Sequence, residues 1–210
     1  MMPDWDEIFS RSGRVFTEPH PDMVRIADYF GDEGVQRILD LGCGTGRHLL
    51  FFGKLGFEMH GFDASSTALS LANEWLDQKG IVAETLQHRM EEMFPYPTDF
   101  FDAIISIQVI HHNLKHDILT TVKEIERVLR PGGVIFITFP IHSPAPESPE
   151  DDWDLRQVEP DTYIPQKGPE AGIPHHYFTL EEIPEVFHSF EILDLYVDEV
   201  DHRCLLGRIH

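Results

Sequence analysis

Three glycines at alternate positions, Gly42, Gly44 and Gly46, follow an acid at Asp40 in the run R-I-L-D-L-G-C-G-T-G-R-H over residues 37–48. Without a Cβ, each lets a ligand lie against the main chain and permits backbone angles that other residues resist. An acid two residues before the first glycine suits a ligand carrying positive charge better than a pyrophosphate. The loop has no Lys-Ser/Thr after its glycines, as a phosphate-gripping loop requires, and its G-x-G-x-G spacing departs from the G-x-G-x-x-G of dinucleotide loops. A second carboxylate, Asp63, stands 21 residues beyond Gly42. At a strand tip such a group accepts two hydrogen bonds from the vicinal hydroxyls of a ribose. Asp63 has a plainer alternative role as a helix cap, but Ser65 and Ser66 already supply caps there. Histidines form the other chemical set. His111 and His112 have two readings: a proton acceptor near a substrate, or a pair that caps and packs the following helix. His175 and His176, with Tyr177 beside them and His142 behind, are the best candidates for substrate contact. The thirteen histidines show no H-E-x-x-H or Cys/His spacing, so no metal site is expected.

These residues need elements to hold them. Ile38, Leu39 and Leu41 form a short apolar run of the kind buried in a parallel sheet, and a helical run follows from Leu49 to Lys54. Residues 57–62 read as a second strand, 66–79 as a helix stopped by Gly80, and 81–86 as a third strand. A near-continuous apolar strand begins at Phe100 and breaks into the polar end of F-D-A-I-I-S-I-Q-V-I-H-H. In an open parallel sheet that carboxyl end is where ligands bind. An amphipathic helix is expected over 116–130, ended by Pro131-Gly132-Gly133, with a fifth strand over 134–139. Residues 140–178 are proline-dense and without period, which reads as an ordered-loop insertion and a substrate lid rather than a second domain. Thr179-Leu180-Glu181-Glu182 is a capping box. Residues 190–197 and 203–209 read as two closing strands.

At 210 residues and 41% apolar content the chain fits one domain with an ordinary core. No apolar run is long enough to span a membrane, and Asp4, Asp6 and Glu7 argue against a signal peptide. Cys43 and Cys204 are the only cysteines, so the expected setting is a reducing cytoplasm. The net charge of −21, with no basic cluster, disfavours direct binding of nucleic acid.

D-L-G-C-G-T-G resembles the first motif of class I S-adenosylmethionine-dependent methyltransferases. F-D-A-I-I-S-I-Q-V-I-H-H and E-I-E-R-V-L-R-P-G-G-V-I-F-I-T are similar to later motifs of the ubiquinone/menaquinone-type and "type 11" branch, in the same order. The resemblance implies a Rossmann-like, doubly wound α/β fold with a seven-stranded, mostly parallel sheet and an antiparallel edge strand. It implies S-adenosylmethionine as cofactor, held by Asp40, Gly42, Cys43, Gly44 and Gly46, by Asp63 and Ala64, and by Arg89, Met90 and Glu91 in the turn facing the adenine. Ile107 would offer its carbonyl to the cofactor's amino group, with Gln108 beside the reacting methyl. Arg89 departs from the family, which usually has an acid there; Glu91 or Glu92 would replace it. Residues 1–34 would form a lead-in and flap, with Arg14 and Phe16 in a lid or, as the plainer alternative, in a simple packing arm; 35–139 would be the cofactor core, 140–178 the substrate lid, and 179–210 the closing elements. Catalytic candidates are His175, His176 and His111, acting on a small molecule with an oxygen, nitrogen or sulfur nucleophile. Two cysteines do not make the set that arsenite methylation needs, and a transfer RNA acceptor would require a basic partner. An NAD-dependent oxidoreductase and a noncatalytic S-adenosylmethionine-binding domain are the rivals.

Overall fold

A computed structural model describes residues 5–141 and 153–210. Five strands, β1 (Arg37–Leu41), β2 (Glu58–Asp63), β3 (Ala83–Gln87), β4 (Phe101–Ile107) and β5 (Leu129–Pro140), run parallel. With β9 (Phe190–Val197) and β10 (His202–Ile209) they make a seven-stranded sheet in the order β3-β2-β1-β4-β5-β10-β9. The antiparallel strand is β10, inserted between β5 and β9 at the end of the sheet. Alternate side chains along each strand point to opposite faces. Leu39, Ile104 and Ile137 therefore pack with α5 (Lys115–Val128) and α6 (Glu182–Val186), while Ile38, Ile105 and Phe136 pack with α2 (Met23–Asp32), α3 (Arg47–Lys54) and α4 (Ser66–Lys79). Helices on both faces leave only the strand ends free to build a site.

Several boundaries differ from the periodicity. The third strand begins at Ala83 rather than Ile81, because Ile81 N–H is used to close the end of α4 on Leu76 O (3.0 Å) around left-handed Gly80. Helix α5 stops at Val128, since Leu129 already pairs with Phe101; the Pro131-Gly132-Gly133 run thus lies within β5 instead of ending the helix. Residues 5–12, which show no clear period, form α1 (Trp5–Ser12). The capping box is half made: Thr179 Oγ1 accepts from Glu182 N–H at 3.1 Å, but the Glu182 carboxylate turns to His176 and Lys115.

The described part of the insertion folds as a three-stranded antiparallel sheet of β6 (Leu155–Glu159), β7 (Thr162–Pro165) and β8 (His175–His176). His176 N–H donates to His111 O at 2.9 Å, which moors this sheet to the loop after β4. No helix among the described residues is long and apolar enough to cross a membrane.

Candidate active site

The carboxyl ends of β1, β2 and β4 and the turn after β3 converge on one cavity of about 520 Å³. Its floor is the glycine loop. Gly42 and Cys43 donate their N–H groups to Phe62 O at 2.9 and 3.0 Å, fixing the loop to the end of β2. Gly44 N–H donates to Asp63 Oδ2 at 2.9 Å, and Ser65 N–H to Asp63 Oδ1 at 2.8 Å. Asp63 thus braces the loop, while Ser65 caps α4 by accepting from Ala68 N–H at 3.0 Å. With a further backbone hydrogen bond from Ala64, the carboxylate still keeps acceptor capacity for a ligand hydroxyl.

Asp40 is buried one residue before the end of β1, and its Oδ2 accepts no hydrogen bond. The nearest basic group is His48 Nδ1, 4.0 Å away. His48 Nε2 accepts from His20 N–H at 3.2 Å, which leaves the ring proton on Nδ1, facing the carboxylate. Burial pushes the Asp40 carboxyl up to about 7; Arg47 opposes the rise and Asp63 adds to it. A buried carboxylate oxygen without a partner beside a bare backbone loop fits an ammonium or sulfonium ligand. Burial also raises the Cys43 thiol well above its usual value, so Cys43 packs rather than reacts.

On the far side of Asp63, Ala64, His88, Arg89, Met90 and Glu91 line the wall. Arg89 pairs with Glu91, so the acid expected to accept from an adenine amino group is already engaged by the guanidinium. Ile107 ends β4. Gln108 follows in a left-handed conformation, φ 60°, held by its N–H (3.0 Å) and its Nε2 (3.1 Å) donating to Thr138 Oγ1. A non-glycine residue at positive φ is strained, and such strain collects at ligand sites.

The opposite end is aromatic and basic. Trp5, His111, His112, Trp153, Glu170, His175 and Tyr177 enclose it. His175 Nε2 lies 2.6 Å from Glu170 Oε2, and His112 Nε2 lies 3.7 Å from the same oxygen. Burial opposes ionisation of Glu170, but hydrogen bonds and charge from His112 and His175 hold its carboxyl down at about 2.

Of the cofactor and catalytic candidates the cavity brings together all but Gly46 and His176; Glu92 does not line it either, and Arg14, expected in a lid, instead lies over Trp75 and donates to Leu71 O at 2.9 Å. Gly46 does not line it; a Cβ there would meet Ala72 Cβ at 2.9 Å, so this glycine admits close packing of α3 on α4. His176 lies behind the wall, buried, with Nδ1 2.8 Å from Thr162 Oγ1 and Nε2 3.0 Å from Glu182 Oε2. The capping reading of His111 and His112 does not hold: α5 has Leu114 at its N-cap, with no side-chain cap, and Glu159 of the insertion accepts from Lys115 N–H at 3.0 Å. His142 lies outside the described residues. Arg47, His48, Trp5, Trp153 and Glu170 were not legible as site residues; only Arg47 and His48, directly after the glycines, carried a positional signal, while His88 falls in the turn expected to face the adenine.

Helix α1 covers the loop. Phe9 would stand 3.6 Å from a Cβ on Gly44, and Asp6 Oδ1 accepts from Ser65 Oγ (2.8 Å), Ser66 Oγ (3.2 Å) and Thr67 N–H (2.8 Å) at the positive end of α4. Asp6→Ala removes this latch at a cost of about 1–2 kcal/mol to α1 docking. The expected result is faster proteolysis before residue 20, about fivefold weaker cofactor binding and a nearly unchanged melting temperature. Equal protease resistance would show that α1 is held by other contacts.

Residues 39–137 match the family model described as "Methyltransferase domain". The "Uncharacterized methyltransferase YcgJ" of Bacillus subtilis (strain 168) is 32% identical over 113 residues, 54% of this chain and 43% of that protein. The "Probable tRNA methyltransferase 9B" of Homo sapiens is 36% identical over 103 residues, 48% of this chain and 20% of that protein. The chain thus spans less than half the length of these relatives. The solved 1,6-didemethyltoxoflavin-N1-methyltransferase of Burkholderia thailandensis, with bound 1,6-didemethyltoxoflavin and S-adenosylhomocysteine, superposes with a TM-score of 0.69 at 18% identity, covering 96% of this chain and 83% of that one.

Proposed function

We propose that this chain, which belongs to the class I S-adenosylmethionine-dependent methyltransferases, moves a methyl group onto an oxygen, nitrogen or sulfur nucleophile of a small molecule. S-adenosylmethionine supplies an electrophilic methyl on a sulfonium, with the C–S bonding pair remaining on sulfur as the nucleophile's lone pair forms the new bond. The protein's task is alignment and exclusion of water. Asp40 Oδ2 receives the ammonium of the methionine part, and the glycine loop lies along it. Asp63 takes the ribose hydroxyls. Gln108 bounds the reacting end, where His111 and His175 face the acceptor, and His176 acts as a strut that holds β8 against α6.

The observation that carries this reading is the buried, unpartnered Asp40 Oδ2 at the mouth of the glycine loop. A small acceptor is favoured by the cover that α1 and the insertion give the cavity and by the net charge of −21, which repels a phosphate backbone.

Calorimetric titration with S-adenosylmethionine, S-adenosylhomocysteine and NAD in parallel tests the cofactor. Micromolar binding of the first two is expected, and Asp63→Ala should weaken it by about 10–100-fold through loss of charge-assisted bonds of roughly 1.5–3 kcal/mol. Binding of NAD alone would replace this reading with the oxidoreductase. Tight cofactor binding with no turnover across an acceptor screen that includes transfer RNA would favour the noncatalytic domain.

A further inference from the structure

Two clusters outside the cofactor half gather metal-type donors: His112, Glu170 and His175, and His20, Asp198 and His202. Their place relative to the cavity separates them. His20 Nδ1 accepts from Asp22 N–H at 3.3 Å, which leaves its proton on Nε2, 2.7 Å from Asp198 Oδ2 but without the geometry of a hydrogen bond. Asp198 Oδ1 is also filled, by Val200 N–H (2.9 Å) and His202 N–H (2.7 Å). In that cluster Asp198 Oδ1 is committed to the main chain, the proton on His20 Nε2 occupies its lone pair, and only His202 lines the cavity.

The first cluster lies wholly on the cavity wall. His175 Nδ1 faces Ile173 O at 2.9 Å, which keeps a hydrogen on Nδ1 and points Nε2 at Glu170. A backbone carbonyl on the far ring nitrogen is the support that metal-bound histidines commonly have. The Nε2 to Glu170 contact is filled either by a proton or by a cation in its place. One donor atom from each of the three residues lies within 4.8 Å of the others, and all three side chains line the cavity. Bonds of about 2.0–2.1 Å in tetrahedral geometry place ligand atoms about 3.3 Å apart. The carboxylate's separations here, 2.6 and 3.7 Å, bracket that value, and the two imidazole nitrogens lie within 4.8 Å of each other.

We infer that His112 Nε2, Glu170 Oε2 and His175 Nε2 form a binding site for one divalent transition metal of the zinc or iron(II) class, with an open position facing the acceptor half of the cavity. Two imidazoles and one carboxylate with a free position are the ligand set of catalytic rather than structural sites. The spacing escapes sequence inspection because His112 comes from the loop after β4 and the other two from the insertion, brought together by the His176–His111 main-chain bond. Resting on the methyltransferase reading, the metal gives the acceptor a class: a small molecule whose oxygen, nitrogen or sulfur donor ligates the ion.

The experiment uses the full chain without a histidine tag, stripped with chelator, then titrated with Zn²⁺ by calorimetry and assayed for bound metal by mass spectrometry. About one zinc per chain is expected. Second-shell changes alone cost about 10–100-fold in metal affinity, so His175→Ala and Glu170→Gln should each weaken the site at least about a hundredfold. His20→Ala should leave it intact. In the Co²⁺-loaded protein, visible bands of a four-coordinate ion should be present and should vanish in Glu170→Gln. Zinc binding that survives both ligand variants, or that is lost in His20→Ala, overturns the assignment, as does absence of binding. Thermal melts of the metal-free variants, matching the metal-free parent, exclude misfolding; if Glu170→Gln alone is well folded, it decides the matter. S-adenosylmethionine titrated in parallel separates the two readings: cofactor binding without zinc binding rejects the metal site alone, and zinc binding without cofactor binding rejects the methyltransferase chemistry alone.

Discussion

Asparagine in place of Asp40 is expected to raise the melting temperature of the ligand-free protein at pH 8 while weakening S-adenosylmethionine binding at least tenfold. The Asp40 carboxyl ionises at about 7 in the fold, against 3.8 for an ordinary aspartate, chiefly because it is buried. A raised folded pKa means that stability is fully present below about 3.8 and declines as pH rises toward 7, after which the deficit is constant. Three pKa units correspond to about 4 kcal/mol. An asparagine amide buried without partners gives back about 1–3 kcal/mol of that, so a net gain of about 2 kcal/mol, or about 4–8 °C, is expected. Near pH 4, where the parent carboxyl is protonated and the penalty is nearly gone, the amide cost remains and the variant should be the less stable of the two by about 1–2 kcal/mol. A pH-independent gap between the two proteins would mean that ionisation of Asp40 is not its source. Affinity runs the other way. A cationic ligand needs the ionised carboxylate, so binding to the parent should weaken about tenfold from pH 8 to pH 6, beyond any titration of the ligand itself, which the asparagine variant reports. Opposite signs for stability and affinity at one residue are the mark of a group retained for its ligand.

The strand–loop–helix core was legible because its signals are local. Asp40, the three glycines and Asp63 sit at spacings fixed by a single β1–α3–β2 unit, and α4 fell between Ser65 and Gly80 as its caps dictate. The acceptor end was legible only in part. Its residues come from α1, from the loop after β4 and from the insertion, so no window of sequence contains two of them except His111 with His112 and Glu170 with His175 and Tyr177. Local reading also paired His175 with His176 as equals. In a strand, neighbours point to opposite faces, so when His175 faces the cavity His176 must face the Thr162 and Glu182 side. Leu129 illustrates the same limit for boundaries: its helical period is good, but pairing with Phe101 across the sheet claims it for β5.

Gly42→Ala should lower stability by about 3–4 kcal/mol and cofactor affinity at least a hundredfold, the largest loss expected from adding one carbon. Two costs combine. Gly42 has φ +72°, a conformation costing an L-residue about 1–2 kcal/mol. The new Cβ would also stand 2.3 Å from Val109 Cγ1 and 2.7 Å from Val109 Cγ2, on a side chain packed against the core. Relief requires the loop to shift, which pulls Gly42 and Cys43 N–H off Phe62 O and Gly44 N–H off Asp63, the contacts that shape the cofactor floor. Gly34→Ala supplies the control, having a φ of +68° and nothing within 4 Å of its Cβ; it should show the conformational cost alone. Val109→Ala removes both clashing methyls, so the Gly42→Ala/Val109→Ala pair should be more stable than the sum of the single losses by about 1–2 kcal/mol. Strict additivity in denaturant titration would place the cost in the backbone conformation alone and remove Val109 as the reason for a glycine there.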